Sequence, residues 1–128
     1  MLDYVFRDDF CFPFNYGFVP NTRAQDGDPI DVVVLSSYPL PIYSIVKVKL
    51  IGILKLKDRG EQDDKLLGVP EVDPLAEKLN DIHDLQANEQ ADIAKFFKQV
   101  GIQKNKIMEI EGFFDKNEAA KTVQNSVI

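Results

Sequence analysis

Three carboxylates crowd one turn of this chain: Asp26-Gly27-Asp28-Pro29-Ile30-Asp31 opens directly into Val32-Val33-Val34-Leu35. Two carboxylates about 4 Å apart repel by roughly 4 kcal/mol at an effective dielectric of about 20. Such a cluster persists only where it is exposed, partly protonated or neutralised by cations. Hard divalent cations are the natural partners, because oxygen donors with no His or Cys nearby favour magnesium, manganese or calcium over zinc or copper. Alone, Asp-Gly and Asp-Pro are ordinary turn sequences. A second cluster, Asp58, Glu61, Asp63 and Asp64, adds weight because Lys65 follows it immediately. Two acidic clusters and a lysine suggest metal ions holding an anion. Neither cluster has the acid, glycine and glutamate spacing of a calcium-binding helix-loop-helix loop.

These residues need elements to position them. Residues 4–18 hold seven of the thirteen aromatics, and from Phe10 to Phe18 they fall at every second position, one face of an extended segment interrupted by Pro13. Pro20 to Pro29 is rich in turn formers, and Ile30 to Leu35 is a β-branched run that predicts a buried strand. From Ser44 to Asp58, Val46, Val48, Leu50, Leu54 and Leu56 share one parity and Lys47, Lys49, Lys55 and Lys57 the other, which predicts one long strand with a solvated lysine face. The same parity puts Asp58 on the apolar side, where its carboxylate requires a cation. Lys65 to Val69 reads as a further strand, with Asp63 and Lys65 pointing the same way. Ile93, Phe96, Phe97 and Val100 predict an amphipathic helix over about 87–100, capped by Gly101. Ile107 to Phe113 reads as a last strand, and Asp115 with Glu118 as a capping box opening a short terminal helix. Strands first and two helices after them make the fold mainly β, a closed or nearly closed sheet with helices outside.

Composition sets bounds. A chain of 128 residues and 14.5 kDa has the length of one domain. It can bury roughly two-thirds of its unfolded surface without disulfides or a structural metal. A net charge of −6 opposes a phosphate backbone, so nucleic-acid binding is not expected. One cysteine, Cys11, and one histidine, His83, exclude a disulfide framework and a multi-ligand Cys/His zinc site, and fit a reducing, cytoplasmic setting. Cys11 reads as a small buried hydrophobe and His83 as a surface or capping residue. No apolar run is long enough to span a membrane, and the start lacks the basic leader of a secretory signal. Neither a Gly-x-Ser-x-Gly elbow nor a Gly-Lys-Ser/Thr phosphate loop is present.

The sequence resembles the soluble family I inorganic pyrophosphatases, most closely the bacterial type. The signature is Asp-Gly-Asp-Pro-x-Asp at Asp26 to Asp31, preceded by Pro13-Phe14-Asn15-Tyr16-Gly17-Phe18. Gly52-Ile53-Leu54-Lys55 leads on to Asp58, Asp63 and Lys65, followed in order by Ile93-Ala94-Lys95-Phe96-Phe97 and Glu111-Gly112-Phe113. The resemblance implies a small OB-like β-barrel with two flanking α-helices, and magnesium-dependent hydrolysis of pyrophosphate to phosphate, with manganese as a possible substitute. It makes Asp26, Asp31, Asp58 and Asp63 metal ligands and Asp28 the carboxylate that deprotonates the attacking water. Lys65 and Tyr16 become substrate-binding residues, and a homo-oligomer, a hexamer, is implied.

Departures from the pattern are also visible. The resemblance implies an upstream segment, with a Lys and a Glu facing the site, that would lie ahead of Met1; the chain reads either as a fragment or shortened member or as a diverged relative. Asp3-Tyr4-Val5 replaces Asp-Arg-Phe, with Arg7 three residues away, and Val100-Gly101 replaces a phosphate-binding Tyr-Lys pair. The expectation is one pyrophosphatase-like domain over 1–128 with reduced turnover. The alternative is a catalytically impaired relative that binds divalent metal and phosphate.

Overall fold

The computed structural model describes residues 1–6, 14–25 and 27–128. Arg7, Cys11, the aromatic alternation from Phe10 to Phe12 and Asp26 lie outside the described residues. In chain order the elements are β1 (Leu2–Phe6), β2 (Phe14–Phe18), β3 (Asp31–Leu35), β4 (Val48–Asp58), β5 (Glu61–Gln62), β6 (Lys65–Pro70) and α1 (Leu75–Lys78). A 3-10 turn (Ile82–Asp84), α2 (Ala87–Gln103), β7 (Met108–Asp115) and α3 (Lys116–Gln124) follow.

The β-branched run after the acidic turn becomes β3. It pairs antiparallel with β2 and parallel with β6, and the latter ladder sets Asp31 opposite Lys65. The sheet runs β1-β2-β3-β6-β4-β5, with β7 paired to β4. The class is mainly β, as expected, but among the described residues the sheet does not close into a barrel, and three α-helices rather than two pack on it. The loop 41–46 supplies one reason for the open sheet. Backbone of Tyr43 donates to Leu2 O at 2.9 Å and Leu2 N donates to Ser44 O at 3.4 Å, so loop backbone takes polar groups of β1 that another strand could have used.

Both faces of the sheet are buried. One core gathers Phe14, Val33, Leu35, Ile51, Leu54, Leu56, Leu67 and Val69 under α2 and the 3-10 turn. The other gathers Leu2, Ile30, Val32, Val34, Ile53 and Leu66 under Ala119 of α3. This corrects the single-parity reading of residues 44–58. Val46, Val48 and Leu50 join the second core, whereas Leu54 and Leu56 join the first. A register shift between Leu50 and Gly52 reverses the alternation. Gly52 is required there, since a Cβ would lie 2.7 Å from Phe114 O. Gly52→Ala is therefore expected to cost about 2 kcal/mol in urea unfolding, the backbone of β7 having to move.

The lysine face is not simply solvated. Lys49 Nζ donates to Ala76 O at 2.6 Å and to Asn80 Oδ1 at 2.5 Å, and Lys55 Nζ pairs with Glu118 at 2.7 Å. Asp115 caps α3 through Glu118 N at 2.9 Å, as expected. The Glu118 side chain serves Lys55 and does not complete a capping box. Helix α2 runs on past the expected cap. Gly101 lies within it because β7 passes so close that a Cβ would meet Met108 Cγ at 2.6 Å. His83 is exposed on the 3-10 turn. No helix among the described residues is long and apolar enough to cross a membrane.

Asp73 ties two loops together, accepting from Ser37 Oγ at 2.6 Å, Ser37 N at 2.8 Å and Leu75 N at 2.9 Å. Burial works against its ionisation, but the bonds from Ser37 and Leu75 prevail and hold its carboxyl below the usual 3.8. A depressed folded value stabilises above the unfolded pKa and is lost as pH falls through the folded one. Asp73→Ala is thus expected to lose about 1–2 kcal/mol at neutral pH. The gap to the parent should shrink below pH 3.8 in acid denaturation.

Candidate active site

Four strands end their inner faces on a polar residue at the same end of the first core. Along β3 the buried Leu35 and Val33 give way to Asp31, and along β6 Val69 and Leu67 give way to Lys65. On β4, Leu54 and Leu56 are followed by Asp58, and on β2 Phe14 is followed by Tyr16. The period of two that builds the core thus carries the chemistry one step past it. These side chains, with Asp28, Glu61 and Asp63, line one cavity of about 690 Å³. Its other wall is the end of α2, with Phe96, Phe97, Gln99, Val100, Gln103 and Lys104, and beyond them Lys106 and Met108.

Lys65 is the hub. Its side chain is 4% exposed, and its Nζ donates to Asp31 Oδ2 at 2.6 Å, Asp63 Oδ2 at 2.9 Å and Tyr16 Oη at 2.9 Å. Asp63 and Lys65 do point the same way. The Nζ also lies 5.5 Å from the ring centres of Tyr16 and Phe97, which stand edge to face at 5.8 Å. Burial disfavours the ammonium, but the carboxylates of Asp31 and Asp63 around it prevail and hold its pKa above the ordinary lysine value. Burial likewise pushes the Tyr16 hydroxyl well above the ordinary tyrosine value, and the opposing pull of Lys65 is too small to reverse it. At neutral pH the pair is a charged lysine beside a neutral phenol.

Asp58 obtains the cations its position requires. Lys106 Nζ lies 3.2 Å from Oδ2, and Arg59 Nε lies 3.5 Å from Oδ1. The second contact is too long for a good hydrogen bond. Oδ1 is therefore a buried carboxylate oxygen with no hydrogen-bond partner among the described residues. Such an atom is costly to bury unless a cation reaches it. Asp28 is exposed on the cavity wall within the acidic turn. The base of that loop is pinned by Thr22, whose Oγ1 donates to Val19 O at 2.7 Å and accepts from Ile30 N at 3.0 Å.

Of the expected site residues, Tyr16, Asp28, Asp31, Asp58, Asp63 and Lys65 share this cavity, while Asp26 lies outside the described residues. Among the described residues, no three Asp, Glu, His or Cys side chains are grouped so as to hold one ion. The chain's own cations explain the spacing: Lys65 separates Asp31 from Asp63, and Lys106 sits against Asp58. The donor set still fits a hard divalent ion, being all oxygen, acidic and provided with one orphaned buried carboxylate oxygen. Asp64 leaves the site, accepting from Gln62 Nε2 at 2.6 Å. Sequence reasoning missed Arg59, Lys104 and Lys106. The one signal for them was the demand of Asp58 for a cation, and it did not say which cation. Val100 lines the cavity and Gly101 faces Met108, so no hydroxyl or ammonium stands at those two positions.

The model of the family described as inorganic pyrophosphatase matches residues 1–128. The inorganic pyrophosphatase of Helicobacter pylori strain J99 is 37% identical over 130 residues, covering 99% of this chain and 75% of that protein. Soluble inorganic pyrophosphatase 2 of Chlamydomonas reinhardtii is 36% identical, covering 98% of this chain and 66% of its own length. A solved inorganic pyrophosphatase from Coxiella burnetii superposes with a TM-score of 0.83 at 35% identity, over 88% of this chain and 69% of that one. The chain thus spans two thirds to three quarters of the length of these relatives. With likeness of this extent in both sequence and backbone, the chain belongs to the inorganic pyrophosphatase family.

Proposed function

We propose that this chain hydrolyses inorganic pyrophosphate to phosphate, residues 1–128 acting as one unit. Support comes from the clustering of Asp28, Asp31, Asp58, Asp63, Lys65 and Tyr16 in one cavity, together with relatives that bear the name inorganic pyrophosphatase. Asp26, Asp31, Asp58 and Asp63 would hold magnesium, or manganese in its place. When bound, such ions supply positive charge that acidifies an attacking water and offsets charge on phosphate oxygens. Asp28, on the open side of the cavity, takes the proton from that water. Once Asp31 and Asp63 are neutralised by other charge, the Lys65 ammonium donates to a phosphate oxygen. Tyr16, kept neutral by burial, donates from its hydroxyl. Phe96 and Phe97 form an apolar wall that strengthens these contacts.

We place the protein in the cytoplasm as a homo-oligomer, on the family resemblance and the exposed apolar loop of Tyr38, Ile42, Tyr43 and Ile45. Sedimentation velocity reads the assembly. The functional test is phosphate release from pyrophosphate with magnesium. Release that disappears with chelator is expected. Release indifferent to chelator, or no release with magnesium present, would remove the proposal.

A further inference from the structure

The hairpin joining β4 to β5 places Arg59 at the cavity in a backbone conformation that arginine disfavours. Asp58 pairs with Glu61, leaving Arg59-Gly60 as a two-residue turn with φ of +52° and +84°. Both central residues of such a turn need positive φ, so Asn, Asp or Gly is the favoured first residue. A side chain held there carries strain that simpler turn chemistry would avoid. Arg59 is nonetheless fixed, its N–H donating to Ile107 O at 3.0 Å.

The guanidinium lines the cavity, with Nε 3.5 Å from Asp58 Oδ1 and the side chain 66% exposed. This is its only side-chain polar contact among the described residues. Of the cavity's other cations, Lys65 is held by Asp31 and Asp63 and Lys106 by Asp58, while Lys104 stands just past α2 in the wall opposite the strands. A dianionic or more highly charged substrate needs further donors, and the planar fork of an arginine matches phosphate oxygens better than a lysine does.

Resting on the pyrophosphatase reading above, we propose that Arg59 is a substrate-binding residue of this site. Its guanidinium holds the phosphate group of pyrophosphate farther from Lys65. Asp58 keeps the arm directed inward until the substrate arrives.

The test uses the full chain with Arg59→Asn, Arg59→Gln and Arg59→Lys. Binding of inorganic phosphate is measured by calorimetry with magnesium, alongside steady-state kinetics on pyrophosphate and thermal unfolding. For R59N and R59Q, KM should rise about tenfold or more, as for loss of a charged hydrogen bond, with kcat within about threefold. Phosphate affinity should fall in parallel, and R59K should recover part of both. R59N should also raise Tm by about 2–5 °C, because asparagine suits the left-handed turn. A purely structural arginine would not separate stability from binding in this way. Unchanged KM and phosphate affinity in both R59N and R59Q would overturn the proposal. If the parent releases no phosphate from pyrophosphate, the hydrolysis reading falls and the phosphate calorimetry alone decides the role of Arg59.

Discussion

Asp28→Asn is expected to lower phosphate release from pyrophosphate by about a hundred- to ten-thousand-fold, the range for loss of a positioned general base. The side chain is exposed on the cavity wall, so deleting its charge disturbs no core packing. Its backbone oxygen accepts from Ala24 N at 2.8 Å, and asparagine keeps that bond along with the side-chain volume. Tm should therefore stay within about 2 °C, as for a substitution away from core and caps. A fall in kcat with little change in KM would mark a group used in the transition state. A variant as active as the parent would move the base elsewhere in the cavity.

Lys65→Met is expected to affect both stability and turnover. The residue is 3% exposed, and its ammonium separates two carboxylates. Methionine fills similar volume but leaves Asp31 and Asp63 facing each other without their cation. Removing one partner of a buried ion pair costs about 3–5 kcal/mol, and the partial exposure of Asp31 places the loss near 3 kcal/mol. Chemical denaturation without divalent ions should show that loss. Magnesium should then stabilise the variant more than the parent, because the ion no longer competes with the ammonium for the same carboxylates. Turnover should fall with the loss of a phosphate contact. Equal stability of variant and parent in chelator would contradict the central role given to Lys65.

Much of the site was legible because a strand carries its pattern with it. The spacing of Asp63 and Lys65 fixed their common direction, and the parity of Leu54 and Leu56 put Asp58 on the buried side. What could not be read were interruptions and long-range partners. A one-residue shift at Gly52 moves Val48 and Leu50 to the opposite core from Leu54, and nothing in the alternation of hydrophobic residues announces a bulge. Gly101 resembles a helix cap in sequence, yet here it answers to Met108 across the cavity rim. Lys106 reaches Asp58 from 48 positions further along the chain, a pairing set by how β7 lies on β4. The order of elements implies a closed or nearly closed sheet, and the pairing of Leu2 with the 43–44 backbone, on which the open edge turns, depends on a loop whose course local sequence does not dictate.

Hydrolysis as proposed requires that the cavity's carboxylates exchange the chain's own cations for divalent ones. Calorimetric titration of magnesium into the parent and into Asp58→Asn tests this most directly, since Asp58 Oδ1 is a buried oxygen with no hydrogen-bond partner among the described residues. The expected result is saturable magnesium binding by the parent, weakened about tenfold or more in the variant, as for loss of a ligand charge. Absence of magnesium binding by the parent, or the same affinity in both proteins, would contradict it.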